Sequence, residues 1–334
     1  MEKVLLVRTD RIGDVVLTTP AIELLKKNRP DVSISVLVSQ YTKDVLKNNP
    51  HIDEIITVKP LFKQVKELKQ KKFDCCILFF VEPKAALSVF LAGIPKRIGP
   101  ASKIWSLFLN KMIFQHRSKI MKHEADFNIE LLAPLGIKPE IKTPPANAKV
   151  FVSDAANEKA RNFLLKHYGI KNTDTLICIH PGSKGSAKNW PASHFAELAD
   201  KIIDQYSDVK VLLSGNNSEQ KLLDEISSRT ENKPFALNTP LSLEDFIGIL
   251  NQTKIVVTNS TGPLHIAAAL GKKTLSFFPM IKGSTPQRWG PYGQGHIVLT
   301  PHEKECPKCK TQNGCMDLIS SEEAFKSFQK LVTQ

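Results

Sequence analysis

The chain has 334 residues, 42% of them hydrophobic and 24% charged, with a mean hydropathy of −0.17. This is ordinary globular composition; it excludes a disordered, collagen-like or membrane-bundle protein and, at roughly 150 residues per domain, implies about two domains. The formal net charge is +13 and lopsided, +10 over residues 1–150 against +3 over residues 151–334.

From the N-terminus, EKVLLVRT is a short apolar strand, and residues 13–28 carry apolar side chains at helical spacing and end in a basic turn. SISVLVS is a second strand, residues 42–48 a short helix, EIITV a third strand and residues 61–71 a lysine-rich amphipathic helix. DCCILFFV is apolar throughout, as strands buried on both faces of a parallel sheet are. A helix at 84–91, a short strand KRIG and a helix at 123–135, stopped by Gly136, complete the first half. The proline-rich PEIKTPPANAKV then breaks the rhythm and marks a domain boundary, with a helix at 153–167 beyond it.

The second half repeats the alternation. Strands are predicted at TLICIH, VKVLLSG, KIVVTNS, KTLSFFP and HIVLT, and helices at 192–205, 219–229, 243–251, 261–271 and 321–331. SLED opens the helix at 243 as a capping box. Strands alternating with helices of this length build parallel doubly wound sheets. The expected fold is therefore α/β, with two Rossmann-like lobes facing a cleft: residues 1–150, residues 151–320, and a C-terminal helix at 321–334.

Residues 83–123 contain no acid but carry Lys84, Lys96, Arg97, Lys103, Lys111, Arg117, Lys119 and Lys122. Ile104, Trp105, Leu107, Phe108, Leu109, Met112, Ile113 and Phe114 lie between these charges. The mixture suits an anionic membrane surface, or else aromatic core residues beneath a solvated basic face. No apolar run approaches the roughly 20 residues of a membrane span, and MEKVLLVRTD is no secretory signal, so a cytoplasmic protein, at most peripheral on the membrane, is expected. In that reducing compartment Cys75, Cys76 and Cys178, inside apolar strands, act as small hydrophobes. Cys306, Cys309 and Cys315 have metal-like spacing, with His302 the nearest histidine, though a loop with adventitious thiols explains them as well.

Ligands of open α/β sheets bind at the loops that leave the strands' carboxyl ends. RTDRIGD offers Arg8, Asp10, Arg11, Gly13 and Asp14; it is no GxGxxG fingerprint, which argues against a dinucleotide oxidoreductase. HPGSKGSAKNWP, with Gly182, Ser183, Lys184 and Lys188, could hold phosphate through backbone N–H groups and an amine, but lacks the Walker A order. Glu219 in SGNNSEQ could accept ribose hydroxyls or be a plain helix-terminal acid. In TNSTGPLHIAAALG, Asn259, Ser260, Thr261 and Gly262 precede a helix N-terminus suited to an anion, with His265 one turn in.

RTDRIGDVVLTTPAI, HPGSKGSAKNWP and TNSTGPLHIAAALGK, in this order, together with HEADFNIELLAPLGI and CMDLIS, resemble glycosyltransferase family 9, typified by the ADP-heptose:lipopolysaccharide heptosyltransferases. The resemblance covers nearly the whole chain. It implies a GT-B fold with the acceptor on the N-terminal lobe, the nucleotide sugar on the C-terminal lobe, and the last helix crossing back onto the first lobe. It implies inverting transfer without a metal or cofactor, consistent with the absence of a D-x-D motif. By position it makes Asp14 the catalytic base, Ser183 and Lys188 diphosphate contacts beside Gly182, and Glu219 the ribose contact. Thr261, Gly262 and His265 take the donor-binding turn, with Asn259 and Ser260 beside them; Ser260 stands where the family usually has Asp. Arg8, Arg11, Gly13, Arg97 and Lys103 are then expected on the acceptor side. An ordinary carboxylate, near 3.9, is only a weak base, so stabilisation of the leaving diphosphate must carry much of the barrier. The implied partners are ADP-heptose, a lipid-linked acidic glycan and the inner-membrane surface, with no nucleic acid. Use of another nucleotide sugar or acceptor, or a non-catalytic glycan-binding role, is the alternative.

Overall fold

Parallel neighbouring strands need a crossover connection, and the helix between successive short apolar strands supplies one. The computed structural model, which describes residues 1–137, 147–185, 187–237, 239–281, 283–301 and 313–333, shows two all-parallel sheets of six strands each. The chain divides into two units, Met1–Phe151 and Val152–Gln334.

In the first unit, strands β1 (Lys3–Val7), β2 (Ser33–Val38), β3 (Glu54–Thr57), β4 (Cys75–Leu78), β5 (Lys96–Pro100) and β6 (Lys111–Ile113) lie in the order β3-β2-β1-β4-β5-β6. Helices α1 (Ile12–Val16), α2 (Thr19–Asn28), α3 (Leu61–Lys71), α4 (Pro83–Leu91) and α5 (Glu124–Glu130) flank the sheet. Leu5 of β1 lies beside both Ser35 of β2 and Cys76 of β4, so β1 is central, and Leu5, Val7, Cys76, Leu78 and Val89 share one core.

The second unit repeats this plan. After helix α6 (Asp154–Tyr168), strands β7 (Thr175–His180), β8 (Val209–Leu213), β9 (Phe235–Ala236), β10 (Ile255–Asn259), β11 (Lys273–Phe277) and β12 (His296–Leu299) lie in the order β12-β11-β10-β7-β8-β9. The crossover helices are α7 (Ala192–Gln205), α8 (Gln220–Arg229), α9 (Leu243–Asn251), α10 (Gly262–Ala269) and the short α11 (Pro286–Trp289). In both sheets the chain runs from the centre to one edge, then returns to build the other side. The switch points, where doubly wound sheets bind ligands, fall between β1 and β4 and between β7 and β10.

Several expectations need correction. The helix expected at 13–28 is two helices, because Pro20 lacks the N–H that would continue the ladder; Thr18 and Thr19 hydroxyls cap the break by donating to the Val15 and Val16 carbonyls. Residues 42–48 hold only a 3-10 turn at Lys43–Val45. The final helix, α12 (Ser321–Thr333), was expected on the first lobe, but its apolar face is taken up within the second unit. It packs on α7 and β11, and Ala324, Phe328 and Leu331 share a core with Phe195 and Ile202. Cys75, Cys76 and Cys178 are buried in β4 and β7, where burial pushes Cys75 and Cys178 up to about 12. Cys315 is also buried, whereas His302, Cys306 and Cys309 lie outside the described residues. Among the described residues no helix is long and apolar enough to cross a membrane.

Candidate active site

At the first switch point β1 delivers Arg8, whose side chain is only 2% exposed. A buried guanidinium needs partners, and it has three carboxylates. Nε donates to Asp10 Oδ1 at 2.7 Å, and Nη2 donates to Asp14. Nη1 donates to Glu124 Oε1 at 3.2 Å and to Asn128 Oδ1 at 3.4 Å. Asp14 comes from the first turn of α1; Glu124 and Asn128 come from α5. Glu124 also accepts from Arg117 Nη1 at 2.5 Å. Burial opposes the charge of Arg8, but Asp14, Asp10 and Glu124 outweigh it and keep the group cationic.

The same crowding sets the chemistry of Asp14, which remains 14% exposed and so reachable. Burial is the largest influence and pushes its carboxyl up. Arg8 pulls it down, Asp10 and Glu124 push it up again, and the balance lies at about 6. That corrects the expectation of an ordinary carboxylate: a group near 6 is much better matched to accepting a proton at neutral pH.

The expected acceptor residues fare unequally. Arg8 is an internal organiser of carboxylates rather than an open contact. Gly13 is buried within α1. Arg97, on β5, is a brace: Nε donates to the Phe108 carbonyl at 2.7 Å and Nη1 to the Ile94 carbonyl at 2.6 Å, with Phe90 under the guanidinium. Arg11 is exposed at the start of α1. Lys103 is exposed as well, and its amine sits 4.0 Å from the centre of the Phe80 ring, which also faces Arg8 at 5.8 Å. Phe80, two residues past β4, thus joins Lys103 to the carboxylate cluster.

At the second switch point two loops are stapled together. Asn259, at the end of β10, is wholly buried: Oδ1 accepts from Trp190 N–H at 2.9 Å and Nδ2 donates to the Pro181 carbonyl at 2.7 Å. It therefore holds the glycine loop in place and does not face a ligand, which corrects its assignment as a donor contact. Trp190 pins the far end, with Nε1 donating to the Ile319 carbonyl at 2.7 Å and its ring stacked on Phe277 at 4.0 Å. Glu219 clamps the near end, accepting from Lys184 N–H at 3.1 Å and Asn216 N–H at 3.0 Å. Gly182 leaves room for this clamp, because a Cβ there would lie 2.1 Å from the Glu219 carboxylate and displace it. Beyond it the backbone turns through left-handed Lys184 and Gly185, at φ +48° and +73°.

Of the other expected donor residues, Ser183 is buried and donates to the Ala187 carbonyl at 3.1 Å, and Lys188 is half-buried in the same loop. Ser260 is half-buried between β10 and α10, and Gly262, also half-buried, opens α10. Thr261 is the N-cap of α10, its Oγ1 3.3 Å from Thr258 Oγ1, and His265 is buried one turn in. Sequence reasoning missed the support beneath: His180 Nδ1 lies 2.9 Å from Ser214 Oγ, and burial pushes this imidazole down to about 4, so it is neutral. It also missed Glu124 and Asn128 as partners of Arg8, although HEADFNIE was singled out as a segment.

These two switch points can be set beside known proteins. The family model described as Glycosyltransferase family 9 (heptosyltransferase) matches residues 61–318. A Haemophilus influenzae protein provisionally named a glycosyltransferase is 30% identical over 97% of this chain and 95% of its own length. Among solved structures, a family 9 glycosyl transferase from Veillonella parvula superposes with a TM-score of 0.85 at 24% identity, over 99% of this chain and 97% of that one. The E. coli ADP-heptose lipopolysaccharide heptosyltransferase II superposes at 0.82 and 22%, over 100% and 99%. Both share the GT-B fold with this chain. The chain therefore belongs to glycosyltransferase family 9, the heptosyltransferase family, and is a glycosyltransferase.

Proposed function

We propose that the protein transfers a heptose from ADP-heptose to a lipid-linked, acidic inner-core glycan, inverting the anomeric centre and using neither metal nor cofactor. The observation that carries this reading is Asp14: a reachable carboxyl held by a buried arginine at a switch point and raised to about 6. Asp14 accepts the proton of an acceptor hydroxyl as that oxygen bonds to the anomeric carbon. The bond from that carbon to the diphosphate breaks, and ADP leaves. The diphosphate is held by the 182–188 loop, by Lys188 and by the N-terminus of α10 at Thr261–Gly262, where backbone N–H groups and an amine neutralise the charge that develops. Glu219 Oε2 is taken up by the Asn216 N–H and side-chain amide, but Oε1, among the described residues, accepts only from Lys184 N–H and keeps a lone pair with which it can accept a ribose hydroxyl while still clamping the loop. Arg11 and Lys103 attract the acidic acceptor. The anchored acceptor places the enzyme in the cytoplasm, peripheral to the inner membrane.

The test is transfer by the purified chain from ADP-heptose to a delipidated inner-core acceptor, read by mass spectrometry as the gain of one heptosyl residue. Other nucleotide sugars run in parallel. Transfer from one of those and not from ADP-heptose refutes the donor assignment, and no transfer from any of them refutes the catalytic reading.

A further inference from the structure

The acid-free segment that follows β5 takes an unusual form for a soluble surface. A 3-10 turn at Ile104–Phe108 is pinned from below by Ser106, whose buried hydroxyl donates to the Pro100 carbonyl at 2.9 Å, and by Leu109, which enters the first unit's core. The residues between these anchors point outward. Ile104 is 73% exposed, Leu107 77% and Trp105 41%. Strand β6, at the sheet edge, adds Met112, and the chain beyond it adds Phe114 at 76% and Met121 at 70%. Exposed apolar residues gathered in this way mark an interaction surface. The core alternative left open by the sequence thus fails for Trp105, while Phe108 packs partly beneath it at 6.3 Å.

We infer that this face docks on an anionic phospholipid bilayer. The charge argues for that occupant. Residues 83–123 carry no carboxylate, and Lys111 and Lys119 are exposed among the apolar residues. A second copy of the chain would bring the same cations against them, whereas anionic headgroups complement them. Inserted apolar side chains with basic residues at headgroup level make reversible, salt-sensitive binding. The surface is also continuous with the candidate acceptor site. Lys103, at the start of the turn, lies against Phe80, and Arg117, near the end of the segment, bonds Glu124, the partner of Arg8. A bilayer seated here presents a lipid-anchored acceptor at the Asp14 end of the sheet. That biological sense rests on the reading of a lipid-linked acceptor, but the docking itself does not.

The experiment is co-sedimentation of the full chain with phosphatidylethanolamine–phosphatidylglycerol vesicles, and with phosphatidylcholine vesicles, at low and high salt. The expected result is binding to the anionic vesicles at low salt that weakens about fivefold for each of Lys111→Gln and Lys119→Gln. The double variant Ile104→Gln/Leu107→Gln should lose binding while keeping the wild-type melting temperature and its transfer to a delipidated acceptor. That last readout separates the two readings, since transfer can fail with vesicle binding intact, and the reverse. Three results overturn the proposal: no binding to anionic vesicles at low salt, binding that Ile104→Gln/Leu107→Gln leaves unchanged, or a vesicle-free dimer that this double variant dissolves.

Discussion

The two units share one strand order yet furnish their switch points with opposite chemistry. Around β1 the chain concentrates charge: Arg8, Asp10, Asp14, Glu124 and Arg117 form one partly buried ionic cluster. Around β7 and β10 it uses amides, hydroxyls and glycines with the cations Lys184 and Lys188, braced by Asn259 and Trp190 and clamped by Glu219. Burying charges is costly unless they pair, and pairing leaves each group's proton affinity sensitive to the others. The first end is thus suited to moving a proton. The second is suited to holding an anion whose charge grows as a bond breaks, since fixed N–H groups need no rearrangement to stabilise it. The fold supplied two equivalent positions, and the side chains assigned them different work.

The most severe way to break this contrast is Asp14→Asn. A positioned base contributes about 10²–10⁴ in rate, so kcat should fall by that order while ADP affinity, measured by calorimetry, is unchanged. If most of kcat survives, the base lies elsewhere, and Asp10 on the same arginine is the next to test. Lys188→Ala attacks the other end. A charge-assisted contact is worth about 1.5–3 kcal/mol, so kcat/KM should fall about ten- to hundredfold and ADP should bind more weakly. Unchanged ADP affinity would move the role to Lys184.

A gentler experiment sharpens the electrostatic half. On the proposal that ionised Asp14 takes the acceptor proton, activity should rise with pH through about 6 and flatten above. His180, pushed down to about 4 by burial, titrates too low to produce that limb. Because the charge of Glu124 helps to raise Asp14, Glu124→Gln should move the limb below 6 and lower kcat by less than Asp14→Asn does. A limb that stays in place would show that Glu124 supports the fold without tuning the base. The smallest effect is expected from Ser260→Asp, which restores the residue usual in the family beside α10. Transfer from ADP-heptose should be unchanged or modestly higher, and a large loss would mean the site is built around another donor sugar.

Period and punctuation made much of this protein legible before any coordinates. Alternating apolar strands and amphipathic helices imply parallel doubly wound sheets, because each intervening helix is long enough to be a crossover and covers a sheet face. The loops after β1, β7 and β10 announce themselves through glycines, hydroxyls and charges following buried strands. Local pattern says little, however, about a side chain's partners far along the chain. Asn259 reads as a ligand-facing amide in TNSTG, yet its partners are Trp190 and Pro181, reached only when β10 lies beside β7. Arg97 reads as a surface cation until the carbonyls of Ile94 and Phe108 converge on it. Amphipathicity shows that α12 must bury one face but not against which sheet; the core containing Phe195 and Ile202 decides that. So the sequence by itself determined the fold class and the family, since these depend on spacing along the chain, and it pointed to the loops at the two switch points. Only the tertiary structure decided that Asp14 sits near 6 instead of near 4, because its desolvation and the push of Glu124 arise only once the chain is folded and α5, more than a hundred residues downstream, brings Glu124 and Asn128 to Arg8.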